Sequence, residues 1–137
     1  MLDLYLAQAA ELLLPLEAVV FDCRFALADP GEGRRLYAAG HIPGAHYLDL
    51  EQDLSGPVGE HGGRHPLPDP LEFAARLAAF GFDRRTPVIA YDDSRLGFAA
   101  RLWWIMRILG YRSPRLLDGG YRGFLDAGGE PETMSPA

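Results

Sequence analysis

Short apolar runs alternate with longer segments whose apolar positions recur at helical spacing along most of the chain. The short runs predict buried strands over residues 17–22, 45–48, 88–91 and 115–118. The longer segments predict helices over residues 3–14, 34–39, 69–80, 96–109 and 121–127. Uniformly apolar strands that alternate with helices are typical of a mainly parallel sheet covered by helices on both faces, so we expect an α/β fold.

Local signals place the ends of one helix and a loop. Asp69 is a favourable N-cap and Pro70 suits the first turn of a helix, so a helix is expected to begin there. Gly81 is expected to end it. Residues 55–70 are rich in Gly, Pro and His and predict a long surface loop before that helix.

The segment 96–109 differs from the other predicted helices because it is apolar nearly all round. A helix that is covered on several sides has such a composition. We therefore expect this helix to be central in the fold, with Trp103 and Trp104 packed in the core.

The length and charge of the chain limit its class. A chain of 137 residues fits one domain with one core. We place this domain at residues 1–132 and interpret residues 133–137 as a C-terminal tail or the start of an interdomain linker. The formal net charge of -6 argues against a nucleic-acid partner, because binding phosphates requires a basic face.

The composition also predicts a cellular location. No apolar run approaches the roughly 18 residues of a membrane span, and the N-terminal residues carry no basic region typical of a signal peptide. The single cysteine cannot form an intrachain disulfide. We therefore expect a soluble, cytoplasmic protein in a reducing compartment, with no membrane partner and no cofactor.

Three acids lie at the carboxyl ends of predicted strands: Asp22, Asp92 and Asp118. Because ligands of parallel sheets bind beyond the carboxyl ends of the strands, these acids mark the candidate site. We interpret Asp22 and Asp118 as partners of arginines such as Arg24 or Arg101 in structural ion pairs, in preference to catalysis.

The histidines do not predict a metal site. His61 and His65 lie in the Gly-rich loop without a third ligand, so a solvated loop is the better interpretation. His41 is interpreted as a turn residue that is hydrogen-bonded to the backbone, in preference to a catalytic base. We expect no bound metal.

Three separate motifs occur along the chain: GHIPGA at residues 40–45, VFDCR at residues 20–24, and LDGG at residues 117–120 followed by Tyr121 and Phe124. Together they resemble the rhodanese family of sulfurtransferases. GHIPGA matches the family's turn, VFDCR matches the strand before it, and LDGG with the two aromatic residues is similar to the family's closing pattern. The resemblance implies a rhodanese-like fold with about five short strands and helices on both faces.

Three further motifs carry a finer resemblance: YDD at residues 91–93, AARLWW at residues 99–104 and HPLP at residues 65–68. They are similar to the N-terminal, non-catalytic half of two-domain thiosulfate and 3-mercaptopyruvate sulfurtransferases. Asp92 then occupies the position of the persulfide cysteine of the other half. The resemblance implies that this chain has no catalytic residue and that the loop is a degenerate active-site loop, consisting of Asp92, Asp93, Ser94, Arg95, Leu96 and Gly97.

The same resemblance implies a partner. A cysteine-bearing rhodanese domain, from the same gene or a separate chain, would supply the chemistry and give access to small sulfur-containing substrates. The interdomain cleft would have a rim formed by Arg24, Phe25 and Phe98. Two alternatives stay open: a free-standing binding or regulatory module, and a minimal enzyme that acts through Cys23.

The chemistry of the loop favours the non-catalytic interpretation. Sulfur transfer needs a thiolate, which the oxygen of a carboxylate cannot replace, and amide groups at a helix N-terminus favour an anion. We expect Asp92 or Asp93 to accept those N–H bonds and cap the helix, in preference to acid–base catalysis. Cys23 follows a buried strand with no helix N-terminus behind it, so it is expected to be a small buried hydrophobe.

Overall fold

Five strands and four α-helices form the part of the computed structural model that is described, residues 6–13, 18–59, 63, 65–81, 83–93 and 96–134. The strands are β1 (Leu6–Ala7), β2 (Val19–Asp22), β3 (His46–Tyr47), β4 (Val88–Tyr91) and β5 (Arg115–Leu117). The helices are α1 (Glu32–Ala39), α2 (Pro70–Ala78), α3 (Gly97–Ile108) and α4 (Gly120–Asp126), with a 3-10 helix at Ala9–Leu13.

The strands form one sheet in the order β1-β5-β4-β2-β3, and every neighbouring pair is parallel. The carboxyl ends of the strands therefore lie at one edge of the sheet. In the centre, Asp22 at the end of β2 is in register with Tyr91 at the end of β4. This register places the residues that follow both strands side by side.

Apolar side chains cover both faces of the sheet, as the pattern predicted. Phe73 of α2 and Leu102 of α3 pack in a cluster on one face, and Phe124 of α4 packs with Ile89 and Leu117 on the other. The predicted α/β fold with helices on both faces is thus confirmed.

The start of the chain differs from its predicted helix over residues 3–14. Leu6 and Ala7 form β1 in register with β5, and the Asp118 N–H donates to the Ala7 carbonyl at 2.8 Å. Only a 3-10 helix follows; residues 3–5 and 14 lie outside the described part. Pairing with a strand more than a hundred residues away overrides the local helical spacing, because it satisfies backbone groups at the sheet edge.

Helix α2 begins as its sequence predicts. The Asp69 carboxylate accepts hydrogen bonds from the backbone N–H groups of Leu71 and Glu72 at 2.8 and 3.2 Å, and Pro70 lies in the first turn. The helix ends at Ala78, shortly before the predicted Gly81.

Helix α3 is less central than its composition suggested. Leu102, Ile105 and Met106 are buried against the sheet, but the side chain of Trp104 is 48% exposed. Trp103 is half-buried, with the Arg107 guanidinium 5.2 Å from its ring centroid. The prediction of core packing is therefore wrong for Trp104, because composition does not reveal which side of an apolar helix meets the sheet.

The helices of the described residues are all too short or too polar to cross a bilayer. The longest, α3, has 12 residues, whereas a membrane span needs about 20.

Candidate functional site

A pocket of about 400 Å³ lies at the carboxyl edge of the sheet, where β4 and β5 end. Asp92 and Asp118, which follow these strands, both contribute to its wall. The other lining residues are Asp93, Leu96, Gly119, Gly120 and Arg122. The sequence placed the candidate site at this edge of the sheet.

Asp92 is the buried centre of the loop between β4 and α3. Its Oδ1 accepts a hydrogen bond from the Leu96 N–H at 2.9 Å, and its Oδ2 accepts from the N–H groups of Phe98 at 2.8 Å and Ala99 at 2.7 Å. These groups belong to the N-terminal turn of α3, where the helix dipole also favours an anion. Asp92 thus caps α3, as predicted for one of the two aspartates.

Leu96 gives this loop an unusual backbone. Its φ of 72° lies in the left-handed region, which costs roughly 1–2 kcal/mol for a residue with a Cβ. The hydrogen bond from its N–H to Asp92 and the packing of its side chain against the core help to hold it there. Of the other predicted loop residues, Gly97 begins α3, and Ser94 and Arg95 lie outside the described residues.

Asp93, the second aspartate of the loop, is exposed and lines the pocket. Partial desolvation raises the pKa of the Asp93 carboxyl, and the nearby carboxylates of Asp92 and Asp22 raise it further, while Arg24 opposes them. No thiol or hydroxyl nucleophile beside it is shown in the described part of the loop. The predicted preference for capping over acid–base catalysis is consistent with this geometry.

The DGG turn at residues 118–120, which follows β5, contacts the loop between β4 and α3. The Tyr121 N–H donates to the Asp92 carbonyl at 3.1 Å. Gly120 has a φ of 60°, and a Cβ at this position would lie 2.4 Å from the Asp92 carbonyl oxygen. Only glycine fits this close approach of two backbone segments.

We expect Gly120→Ala to lower the free energy of unfolding by about 2–3 kcal/mol, because it combines left-handed strain with a backbone clash. Gly81→Ala is the matched control: Gly81 has a φ of 84°, and a Cβ there would meet nothing within 4 Å. Urea denaturation of both variants separates strain from clash. Equal losses in the two variants would contradict the contact with Asp92.

A buried ion pair lies beside the loop. Asp22 is 0% exposed and Arg24 is 2% exposed. Asp22 Oδ2 accepts from Arg24 Nη2 at 2.7 Å and from the Tyr91 hydroxyl at 2.8 Å. Arg24 Nη2 also donates to the Gly40 carbonyl at 2.7 Å, and the guanidinium lies 4.1 Å from the centroid of the Tyr121 ring.

This network confirms the predicted Asp22–Arg24 ion pair and links four chain segments around the site. Burial acts to lower the pKa of Arg24, but the hydrogen bond and charge of Asp22 outweigh it and raise that pKa. Burial likewise raises the pKa of the Tyr91 hydroxyl well above its usual range, so Tyr91 is a neutral donor here. The YDD motif included Tyr91 but gave it no role; a tyrosine that ends a wholly buried strand is the signal that could have indicated one.

The second predicted ion pair does not form. Arg101 donates to the backbone carbonyls of Leu54, His65 and Pro66 at 2.7–3.2 Å and so holds the long loop against α3. Asp118 is exposed at the pocket instead. A guanidinium with several donors can serve a cluster of carbonyl groups as well as a carboxylate, and local sequence does not distinguish the two.

The predicted rim is largely inside the domain. Arg24 and Phe25 are buried, and Phe98 is only half-buried. The rings of Phe25 and Phe98 meet edge to face with centroids 5.6 Å apart. Of the three residues, Phe98 has the accessible surface that a rim requires.

Cys23 and His41 are both buried and have the structural roles that the sequence predicts. Cys23 is 1% exposed, and burial raises the pKa of its thiol well above the usual value, with neighbouring carboxylates adding to the effect. His41 is buried with both ring nitrogens beside backbone carbonyl groups. Within the described residues no group of three or more His, Cys, Asp or Glu could hold a metal ion, and His61 lies outside them.

Fold and site together define an α/β domain with an anion-binding helix N-terminus at the carboxyl edge of a parallel sheet. The model of the rhodanese-like domain family matches residues 6–127. The chain therefore belongs to the rhodanese-like family, and the resemblance given by its motifs is confirmed.

Known relatives of the chain are sulfurtransferases. It is 52% identical over 122 residues to the "Probable 3-mercaptopyruvate sulfurtransferase" of Pseudomonas aeruginosa, covering 88% of this chain and 43% of the relative. It is 34% identical over 110 residues to the thiosulfate sulfurtransferase of Cricetulus griseus, covering 77% of this chain and 35% of the relative. The chain thus spans less than half the length of either relative.

A solved structure shares the fold closely. The 3-mercaptopyruvate sulfurtransferase from Leishmania major superposes with a TM-score of 0.87 at 32% identity. The match covers 97% of this chain and 37% of that one.

Proposed function

We propose that this chain is the non-catalytic, N-terminal half of a two-domain thiosulfate or 3-mercaptopyruvate sulfurtransferase. In this role it forms one wall of an active site whose persulfide cysteine belongs to another rhodanese domain. The observation that carries the proposal is the Asp92 carboxylate, which fills the ring of amide groups at the start of α3.

Sulfur transfer requires a thiolate that takes up a sulfane sulfur as a persulfide and then yields it to an acceptor. Asp92 offers oxygen where sulfur is needed, and its negative charge occupies the position that the amide groups would offer to a substrate anion. Cys23 cannot replace it in this geometry, because its thiol is buried and its raised pKa disfavours the thiolate. These observations support a domain that is inactive by itself.

The partner in this proposal is a cysteine-bearing rhodanese domain, encoded by the same gene or by a separate chain. Support comes from the share of the relatives that the chain covers, which is 43% for the Pseudomonas aeruginosa protein. The partner would face the carboxyl edge of the sheet, where Asp93 and Phe98 are accessible. Small sulfur-containing substrates would then be bound between the two domains.

An activity assay tests the proposal. The isolated chain is expected to form no thiocyanate from thiosulfate and cyanide and no pyruvate from 3-mercaptopyruvate. Joining it to a cysteine-bearing second half is expected to give turnover that disappears when the cysteine of that half is replaced by serine. Turnover by the isolated chain that Cys23→Ser abolishes would contradict the proposal and favour the minimal enzyme.

A free-standing binding module is the second candidate, and the pocket of about 400 Å³ beside the degenerate loop is the observation that favours it. The gene sequence separates the two candidates. A second GHIPG-like motif and a cysteine after a strand, downstream of Ala137, would support the two-domain enzyme. A stop codon directly after Ala137 would support the module.

A further inference from the structure

Residues 129–134, here called the C-terminal strap, fold back onto the turn that follows α1. Glu132 forms two antiparallel backbone hydrogen bonds with His41, each 2.9 Å long. Its side-chain Oε1 accepts from the Gly44 N–H at 2.8 Å, and Pro131 lies against Gly40, with its Cβ 3.5 Å from where a Gly40 Cβ would be. The strap is therefore attached to the GHIPGA turn by backbone, side-chain and packing contacts.

The His41 side chain lies fully buried beneath this attachment. Its Nδ1 is 2.8 Å from the carbonyl oxygen of Tyr37 in α1, and its Nε2 is 3.0 Å from the carbonyl oxygen of Met134 in the strap. The imidazole ring is stacked on the Tyr37 ring with centroids 3.8 Å apart. One side chain thus joins the helix before the turn to the end of the strap.

The two contacts constrain the protonation of the ring. Carbonyl oxygens only accept hydrogen bonds, and a neutral imidazole has one N–H and one lone pair. Both contacts are hydrogen bonds only when both nitrogens of His41 carry a proton. In the neutral ring one nitrogen lone pair would face a carbonyl oxygen at about 3 Å, which is repulsive.

Charged and polar groups surround the buried His41 ring. The Glu132 carboxylate lies 3.5 Å from Nε2. The Tyr37 hydroxyl is occupied with the Ala45 carbonyl. The Arg24 guanidinium reaches the neighbouring Gly40 carbonyl, but its charge is balanced by Asp22.

We propose that His41 is a proton-controlled lock for the C-terminal strap: the doubly protonated ring fixes the strap to the domain, and loss of one proton releases it. The lock would set where the chain leaves the domain beyond Met134. Its consequence for a following catalytic domain, whose orientation the strap would control, rests on the proposed function. The lock itself concerns only this chain.

Hydrogen exchange of the Glu132 amide, corrected for the intrinsic pH dependence of exchange, measures strap attachment in the 137-residue chain. As the pH is raised from about 5 to about 8, protection of this amide is expected to fall roughly tenfold in the native chain. The neutral amide of His41→Gln can place its NH2 group at only one of the two carbonyl oxygens at any pH, so this variant is expected to show weak, pH-independent protection. His65→Gln, a histidine change outside the strap, is the matched control and is expected to follow the native profile.

Two further measurements keep the proposal testable if His41→Gln fails to fold. Nitrogen NMR of the native His41 ring is expected to show both nitrogens protonated while the strap is attached. Glu132→Gln removes the favourable charge, so release is expected at a lower pH than in the native chain. A neutral His41 ring with an attached strap, or the same pH profile in His41→Gln or Glu132→Gln as in the native chain, would overturn the proposal.

The exchange and NMR measurements do not depend on the sulfurtransferase assignment. If they contradict the lock, the activity assay still tests the proposed function. If the activity assay contradicts the proposed function, the exchange profile of Glu132 still tests the lock.

Discussion

Replacing Asp92 with cysteine in a Cys23→Ser background is expected to create a thiol that is alkylated at neutral pH at least about tenfold faster than an ordinary cysteine. The new sulfur would lie beside the amide groups of Leu96, Phe98 and Ala99, which now bind the Asp92 carboxylate. Those groups stabilise a thiolate and lower its pKa below the usual value of about 8.5. In the proposed function, this loop would need only the sulfur atom to hold a reactive cysteine.

The rate of alkylation by iodoacetamide as a function of pH gives the pKa of the new thiol. Attack of the new thiolate on the sulfane sulfur of thiosulfate would break the S–S bond of thiosulfate and release sulfite, so mass spectrometry after this incubation is expected to show the addition of one sulfur atom. Asp93→Asn in the same background is expected to increase the rate further, because it removes a nearby negative charge. Asp92→Ser with Cys23 retained is the control, and its alkylation should match that of the native chain. A thiol with an ordinary or raised pKa would contradict the interpretation of the loop as an anion cradle.

Arg24→Met is expected to lower the free energy of unfolding by about 3–5 kcal/mol, the usual cost of leaving one partner of a buried ion pair without the other. Asp22 is fully buried. After this change it would keep the hydrogen bonds from the backbone N–H of residue 24 and from the Tyr91 hydroxyl, but it would have lost its cationic partner. The guanidinium contacts with Gly40 and Tyr121 would be lost as well.

Urea denaturation measures this loss, and two variants serve as comparisons. Arg122→Met breaks an exposed ion pair in which Arg122 Nε lies 3.2 Å from Asp126 Oδ1. This change is expected to alter the free energy of unfolding by less than about 0.5 kcal/mol. The double change Asp22→Asn with Arg24→Met removes both charges and is expected to recover part of the loss. Equal effects of Arg24→Met and Arg122→Met would show that burial does not determine the strength of this pair.

Local pattern was sufficient for most elements of the fold. The predicted strand over residues 88–91 coincides with β4, and the helix predicted over residues 96–109 agrees with α3 at Gly97–Ile108. A uniformly apolar run bounded by polar residues can be accommodated in few structures other than a buried strand or helix. Strand β1 could not be found in this way, because two residues carry no periodicity and their pairing partner lies in β5.

The site was predictable where a single residue has a local partner. Asp92 caps the helix that begins five residues later, and Asp22 pairs with Arg24 two residues away. The role of Arg101 was not predictable, because its partners are carbonyl groups brought together by the loop from Leu54 to Pro66. The position of Phe25 inside the domain likewise depends on contacts between distant segments.

The sequence by itself determined the family, the α/β class and the absence of a thiol at the loop, because these depend on residue identity and short-range spacing. Only the tertiary structure decided that the Asp92 carboxylate accepts hydrogen bonds from three amide groups and that Cys23 is buried in the core. It also decided that the His41 ring lies between two carbonyl groups. These features depend on burial and on distances between segments far apart in the chain. Burial and long-range distances cannot be predicted from the local order of residues, because they arise when the sheet brings the strand ends together.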